Sequence, residues 1–211
     1  MLLRPAEQRP LRGCVCSSGG ATKLASDKCF IAANHLSGKG GPRFGVVRYG
    51  NVVNSRGSVV PLFQRLIAEG RTELPITDRR MTRFFITIKK GVEFVLERLD
   101  AMSGGELFIP KVPSMKIVDV AEALAPGCKT YEIGIRPGEK LHEVLLPHDE
   151  ARHTIEFPNH YTVEPAFHWW KREEHLVDGG HRGETLPEDF QYRSNAGPYL
   201  SAAEMRRMIE E

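Results

Sequence analysis

Three short segments gather arginines, an amide and carboxylates beside glycine and proline, residue types suited to holding a phosphorylated ligand. In the first, Arg48 to Ser58, Gly50 stands next to Asn51, and Arg56-Gly57-Ser58 runs straight into the apolar stretch opening at Val59. A helix starting there would aim backbone N–H groups at a phosphate. The same residues also make an ordinary solvated strand-to-helix connection. The second, Thr77 to Phe84, contains Arg79, Arg80 and Arg83. A guanidinium fork matches phosphate oxygens two at a time, and a solvated basic turn reads equally well. The third, Ile135 to Lys140, holds Pro137-Gly138, a tight turn that fixes where Arg136 and Glu139 point. The arginine suits a diphosphate and the carboxylate a ribose diol; the alternative is a surface turn with an incidental ion pair.

Other polar groups take plainer readings. His148, His153, His160 and His168 lack partners at metal-ligand spacing, and Cys14, Cys16, Cys29 and Cys128 form no second pair at zinc-finger spacing, so no metal site is expected. Trp169-Trp170 reads as an anchor for the tail. Ser18 to Lys23 lacks the Gly-Lys-Ser/Thr ending of a phosphate loop. Gly38 to Arg43 has Arg43 where the third glycine of a dinucleotide fingerprint belongs, and no G-x-G-x-x-G follows a strand and opens a helix. Twenty-nine Lys plus Arg against 27 Asp plus Glu leaves a formal charge of +2, too small a surplus for a nucleic-acid or membrane surface. No secretory h-region or membrane-length apolar run is present, so the expected location is the cytoplasm.

The elements that must position these segments alternate. Helices are expected from Ala21 to about Leu36, Val59 to Glu69, 87 to 101, and from a Ser114 cap to about Ala125. Strands are expected at Phe44 to Tyr49, Phe84 to Ile86, Leu107 to Ile109 and Tyr131 to Ile135. This order indicates an α/β domain with parallel pairing. After about Arg152 the alternation fades; 171 to 198 reads as an irregular tail, before a short helix with a Ser201-Ala-Ala-Glu204 capping box.

Taken together the motifs resemble the inverting UDP-N-acetylglucosamine 4,6-dehydratases, polysaccharide biosynthesis proteins of the extended short-chain dehydrogenase/reductase superfamily. The resemblance is carried by Gly20 to Lys28, Val47-Arg-Tyr-Gly-Asn-Val-Val53, Ser55 to Pro61, Leu74-Pro-Ile-Thr-Asp78 and Met81-Thr-Arg-Phe84. It continues through Ile109 to Lys116, Ile135-Arg-Pro-Gly-Glu-Lys-Leu-His-Glu143 and Tyr192-Arg-Ser-Asn195, so it covers about 20 to 211. It implies a UDP-sugar substrate and NADP, with hydride leaving sugar C4, water lost across C5–C6, and hydride returned to C6. It makes Asn51, Ser58, Arg83, Lys111, Arg136 and Glu139 the lining of a UDP-sugar pocket. Lys23 becomes the lysine of a Tyr-x-x-x-Lys pair, holding the nicotinamide ribose and favouring the phenolate.

The departures are as informative. Gly19 stands where the tyrosine belongs, and 1–19 holds no counterpart of the upstream Thr-Asp-Lys segment. The expected organisation is therefore an irregular, non-family 1–19, a Rossmann remnant with an interleaved substrate-binding lobe over 20–152, and a C-terminal extension over 153–211. The fold expected is the C-terminal part of an extended short-chain dehydrogenase/reductase, an incomplete Rossmann sheet plus a small α/β lobe, N-terminally truncated and inactive alone. A non-catalytic UDP-sugar-binding or oligomer-assembly module is the alternative. The possible protein partners are a second copy or a complementing Rossmann half.

Overall fold

A computed structural model describes residues 18–37, 41–166 and 172–211. The expectations for 1–17, for Gly38 to Gly40, and for His168, Trp169 and Trp170 lie outside the described residues. The chain forms α1 (Ser18–Ala33), β1 (Val46–Val47), β2 (Asn51–Val52), α2 (Val59–Ala68), β3 (Glu73–Ile76) and β4 (Thr82–Ile86). There follow α3 (Ile88–Ala101), β5 (Leu107–Pro110), β6 (Ser114–Lys116), α4 (Ile117–Leu124) and β7 (Lys129–Glu132). Then come β8 (Val144–Leu146), α5 (His148–Ala151), β9 (Thr154–Glu156), β10 (His160–Val163) and α6 (Ala202–Glu210).

The larger sheet runs β1-β5-β10-β9 and ends on Glu184–Thr185. Only β1 and β5 pair in parallel, Val46 opposite Leu107 and Val47 opposite Phe108; the remaining pairs are antiparallel. β5 is buried along its whole length, as a strand covered on both faces must be. Val46, Leu107 and Ile109 join Leu145, Leu146, Tyr161 and Tyr192 in one core. Val47 and Phe108 point to the other face, where Phe94 and Met102 at α3 cover them.

A second core lies in a smaller lobe. There α2, α4 and α6 pack through Val60, Phe63, Val120, Ala121 and Met205 against Leu74 and Ile76 of β3. β3 pairs in parallel with β7, while β4 pairs in parallel with β2 and antiparallel with β6. β4 is the wall between the cores: Phe84 belongs to the sheet core and Phe85 to the smaller one. The period-2 alternation of a strand sends these neighbours to opposite sides.

Several expectations need correction. α1 already includes Ser18 and Gly19, so structure begins before Ala21. Ser114 caps no helix: it lies in β6, its N–H bonded to Pro198 O, and α4 starts after Lys116. The strand expected at Tyr131 to Ile135 sits earlier, at Lys129–Glu132. The helix–strand alternation does fade after Arg152, but the chain there is not without structure: β9 and β10 extend the larger sheet beyond β5, and pairing is mixed rather than parallel. The Ser201 capping box forms as its sequence indicates, with Glu204 N bonded to Ser201 Oγ and Glu204 Oε2 to Ser201 N. Among the described residues, no helix is long and apolar enough to cross a membrane.

Candidate functional site

At the wall between the cores one carboxylate organises its neighbours. Glu143 is buried, and its oxygens accept from Asn51 Nδ2 at 3.1 and 3.2 Å and from Phe84 N at 3.1 Å. Arg83 Nε lies 3.7 Å from it. Asn51 Nδ2 also donates to Phe84 O at 3.2 Å. This closeness of β2 to β4 depends on Gly50, where a Cβ would sit 2.4 Å from the Phe84 Cβ.

The Arg136 to Glu139 turn forms as its residues dictate. Glu139 N donates to Arg136 O at 3.0 Å, and Gly138 takes φ 79°, the left-handed value that the third residue of a type II turn requires. Arg83 ties the turn to β4. Its Nη1 donates to Thr82 O at 2.7 Å and Leu141 O at 3.2 Å, its Nη2 to Lys140 O at 3.0 Å and Glu139 Oε1 at 3.5 Å. Arg136 stands exposed at the head of the turn.

Behind this lies a hydroxyl network that sequence reasoning missed. Ser194 Oγ, fully buried, accepts from Glu143 N at 2.9 Å and meets Thr82 Oγ1 at 2.6 Å. Thr82 Oγ1 also lies 2.8 Å from His142 Nδ1. Burial first, then Arg193, Arg83 and Arg80, lower the pKa of His142, so its neutral form is favoured beside these cations. The Tyr192 hydroxyl donates to Val112 O at 2.7 Å and accepts from Val112 N at 2.8 Å. The Tyr192-Arg-Ser-Asn195 motif thus locks the tail onto β4 and the β5–β6 connection. The resemblance marked that motif, but no local periodicity does.

The other expected residues lie apart. Lys23 is half-buried on α1, one turn from Gly19. The helix is pinned by a second missed cluster: buried Arg48 reaches Asp27 at 3.2 Å, Glu150 Oε2 at 2.8 Å and Leu145 O at 2.8 Å. Lys111 pairs with Glu156 at 2.7 Å and lies over the Tyr161 ring at 5.0 Å. Ser58 does precede α2, yet its Oγ is sealed and bonds to nothing among the described residues. Asn51, Arg83, Glu139 and Arg136 are thus linked through Glu143 and the turn, whereas Lys111 pairs with Glu156 and the Ser58 hydroxyl is sealed.

A sheet covered on both faces, joined to a smaller α/β lobe by a shared strand, is the architecture of extended short-chain dehydrogenases/reductases, of which this chain covers part. The X-ray structure of Pen from Bacillus thuringiensis superposes with a TM-score of 0.76 at 30% identity, over 92% of this chain and 57% of that one. The chain belongs to the polysaccharide biosynthesis protein family, whose model matches residues 15–165. It is 51% identical over 193 residues to the UDP-N-acetylglucosamine 4,6-dehydratase (inverting) of Campylobacter jejuni, covering 90% of this chain and 58% of that protein. A second Campylobacter jejuni strain has a protein of the same name, 52% identical over 181 residues, with 85% and 54% covered. The chain therefore spans somewhat more than half the length of these relatives.

Proposed function

We propose that this chain is the sugar-nucleotide-binding part of an inverting UDP-N-acetylglucosamine 4,6-dehydratase, holding a UDP-sugar at the wall between its two cores. The observation that carries the reading is the Asn51–Glu143–Arg83 cluster set against the Arg136–Glu139 turn. An amide, an exposed guanidinium and a half-buried carboxylate meet there on braced backbone. Arg136 takes a diphosphate oxygen and Glu139 a hydroxyl, while Arg83 holds the turn; Lys111, paired with Glu156, and sealed Ser58 stand outside this cluster. The substrate pool is cytoplasmic.

The complete reaction draws its redox chemistry from a nicotinamide cofactor, NADP in this reading. The residues present do not fit that group. Only Lys23 is of the right type to hold its ribose, Gly19 replaces the phenol, and the sequence offers no glycine fingerprint between a strand and a helix for the pyrophosphate. In this reading these residues do not supply the redox step by themselves, and a Rossmann half must complete the site. β1 stands at the edge of its sheet, and an edge strand carries unpaired backbone groups that can accept another strand. The alternative, a binding or assembly module that pairs with another copy, draws support from α3, whose Ile88, Val92, Leu96 and Leu99 are exposed along one side.

Calorimetry with UDP and UDP-N-acetylglucosamine tests the proposal. Both should bind, and Arg136→Ala should weaken both by roughly ten- to a hundredfold, the loss of a charge-assisted contact. No binding by the unmodified chain, or unchanged affinity in the variant, overturns the assignment.

A further inference from the structure

The orientation of one amide decides what kind of ligand atom it can meet. Asn51 faces three oxygens: both carboxyl oxygens of Glu143 and the carbonyl of Phe84. A carbonyl cannot donate, and the Glu143 carboxyl oxygens already accept from Phe84 N beside the Arg83 cation. The side of Asn51 that turns to them must therefore be its NH2 group, the only donor the amide has. Its Oδ1 is left facing the other way. Among the described residues no donor reaches that oxygen, and it is not among the sealed, unpartnered atoms. Half-buried Asn51 thus offers the pocket an acceptor.

Resting on the binding reading above, we infer that Asn51 is a specificity residue for a hydrogen-bond donor on a sugar ring of the ligand, and that Glu143 is the residue that holds it so. The donor is a hydroxyl, or the N–H of an acetamido group. Phosphate oxygens at neutral pH are acceptors, so the diphosphate gains nothing from Asn51. This separates two roles within one site: the cation Arg136 meets the phosphates, and the amide reads a sugar. Turning the amide over would set its Oδ1 against three oxygens, so Glu143 and Phe84 O enforce the selectivity by repulsion as well as attraction.

The experiment measures affinities of UDP-N-acetylglucosamine, UDP and 2′,3′-dideoxy-UDP for the unmodified chain, Asn51→Ala, Glu143→Gln and the double variant. Glutamine retains the size of Glu143 but can turn a donor toward Asn51, so the amide is no longer fixed. Asn51→Ala should lower affinity about three- to tenfold for ligands carrying the donor, the range of a neutral hydrogen bond. A loss confined to UDP-N-acetylglucosamine places the donor on the glycosyl ring. A loss shared with UDP but absent for the dideoxy compound places it on ribose. Adding Glu143→Gln to Asn51→Ala should cost little more, since both act through one group. Equal losses for all three ligands would mean a phosphate or base contact and overturn the inference, as would additive losses in the double variant. Failure of the unmodified chain to bind any of them would instead sink the binding site itself.

Discussion

Acidification should destabilise this chain through His160 before its carboxylates dominate. The imidazole is 1% exposed, stacked on Phe157 at 4.8 Å between ring centroids and edged by Phe94. Nε2 receives a bond from Arg98 Nη1 at 3.1 Å, and Nδ1 lies 2.7 Å from Asn159 Oδ1. A guanidinium only donates, which favours Nε2 without its proton and Nδ1–H toward Asn159, while Asp178 Oδ2 lies 3.3 Å from the same Nε2. Burial first, then the Arg98 charge, pull the pKa from 6.5 to about 4; Asp178 opposes and Lys111 assists. The unfolded chain takes the proton near 6.5 and the folded chain only near 4. Between those values the unfolded state binds more protons, so the stabilisation is complete above 6.5 and is lost as pH falls through the window.

At about 1.4 kcal/mol per tenfold change, the whole window is worth roughly 3 kcal/mol, and about 2 kcal/mol of it is gone by pH 5. That is a sizeable share of a typical domain's 5–15 kcal/mol, on the general scale. Urea unfolding at pH 7 and pH 5 reads it, with His160→Gln as the reference. Glutamine can still accept from Arg98 but does not titrate. The unmodified chain should lose about 2 kcal/mol more than the variant over this interval, the titrations common to both cancelling. Equal losses would show that the folded chain accepts the proton at no cost, and the assignment of Nε2 as acceptor would fail.

Arg48→Met should destabilise the chain by about 3–5 kcal/mol, because it strands the carboxylates of Asp27 and Glu150 in a buried place; a denaturation midpoint unchanged within error would contradict it. Gly50→Ala should cost at least about 1–3 kcal/mol by forcing a methyl into the Phe84 backbone, and should weaken UDP-sugar binding as well, measured by denaturation and calorimetry together.

Legibility in the sequence followed apolar periodicity. α2 and α3 repeat apolar residues at helical spacing between Gly or capping signals, and both stand within a residue or so of where that pattern puts them. β3 was hidden because Pro75 sits inside it; a proline is tolerated there since β3 pairs only with β7. β9 and β10 were hidden for a different reason: a strand of three or four residues with Thr, Glu and His has too little apolar signal, and its place in the sheet comes from long-range pairing. The polar clusters were the least legible. His160 reads as a lone histidine because its partners are distant in sequence: Arg98 lies 62 positions before it, and Asp178 follows only after the 163–177 stretch. Glu143 does not stand out within the 135–143 motif, since its importance is set by Asn51 and Arg83, which arrive from β2 and β4.

The two arginines of the site illustrate why residue type alone does not assign a role. Both are arginines beside a turn, and both suit a diphosphate. Arg83 has each terminal nitrogen on two protein oxygens and its Nε near Glu143, so a phosphate would have to displace bonds already made. Arg136 is exposed and engages the turn through its backbone. Their removal should therefore separate along two axes. Arg83→Ala leaves Glu143 and Glu139 without their shared cation and the Lys140 carbonyl without this donor. It should lower stability by about 1–3 kcal/mol, the cost of buried acceptors left unsatisfied, and affinity falls because the turn loosens. Arg136→Ala should lower affinity at unchanged stability. If Arg83→Ala weakened ligand binding with no change in the denaturation midpoint, Arg83 would be a direct ligand and the brace assigned to it here would be wrong.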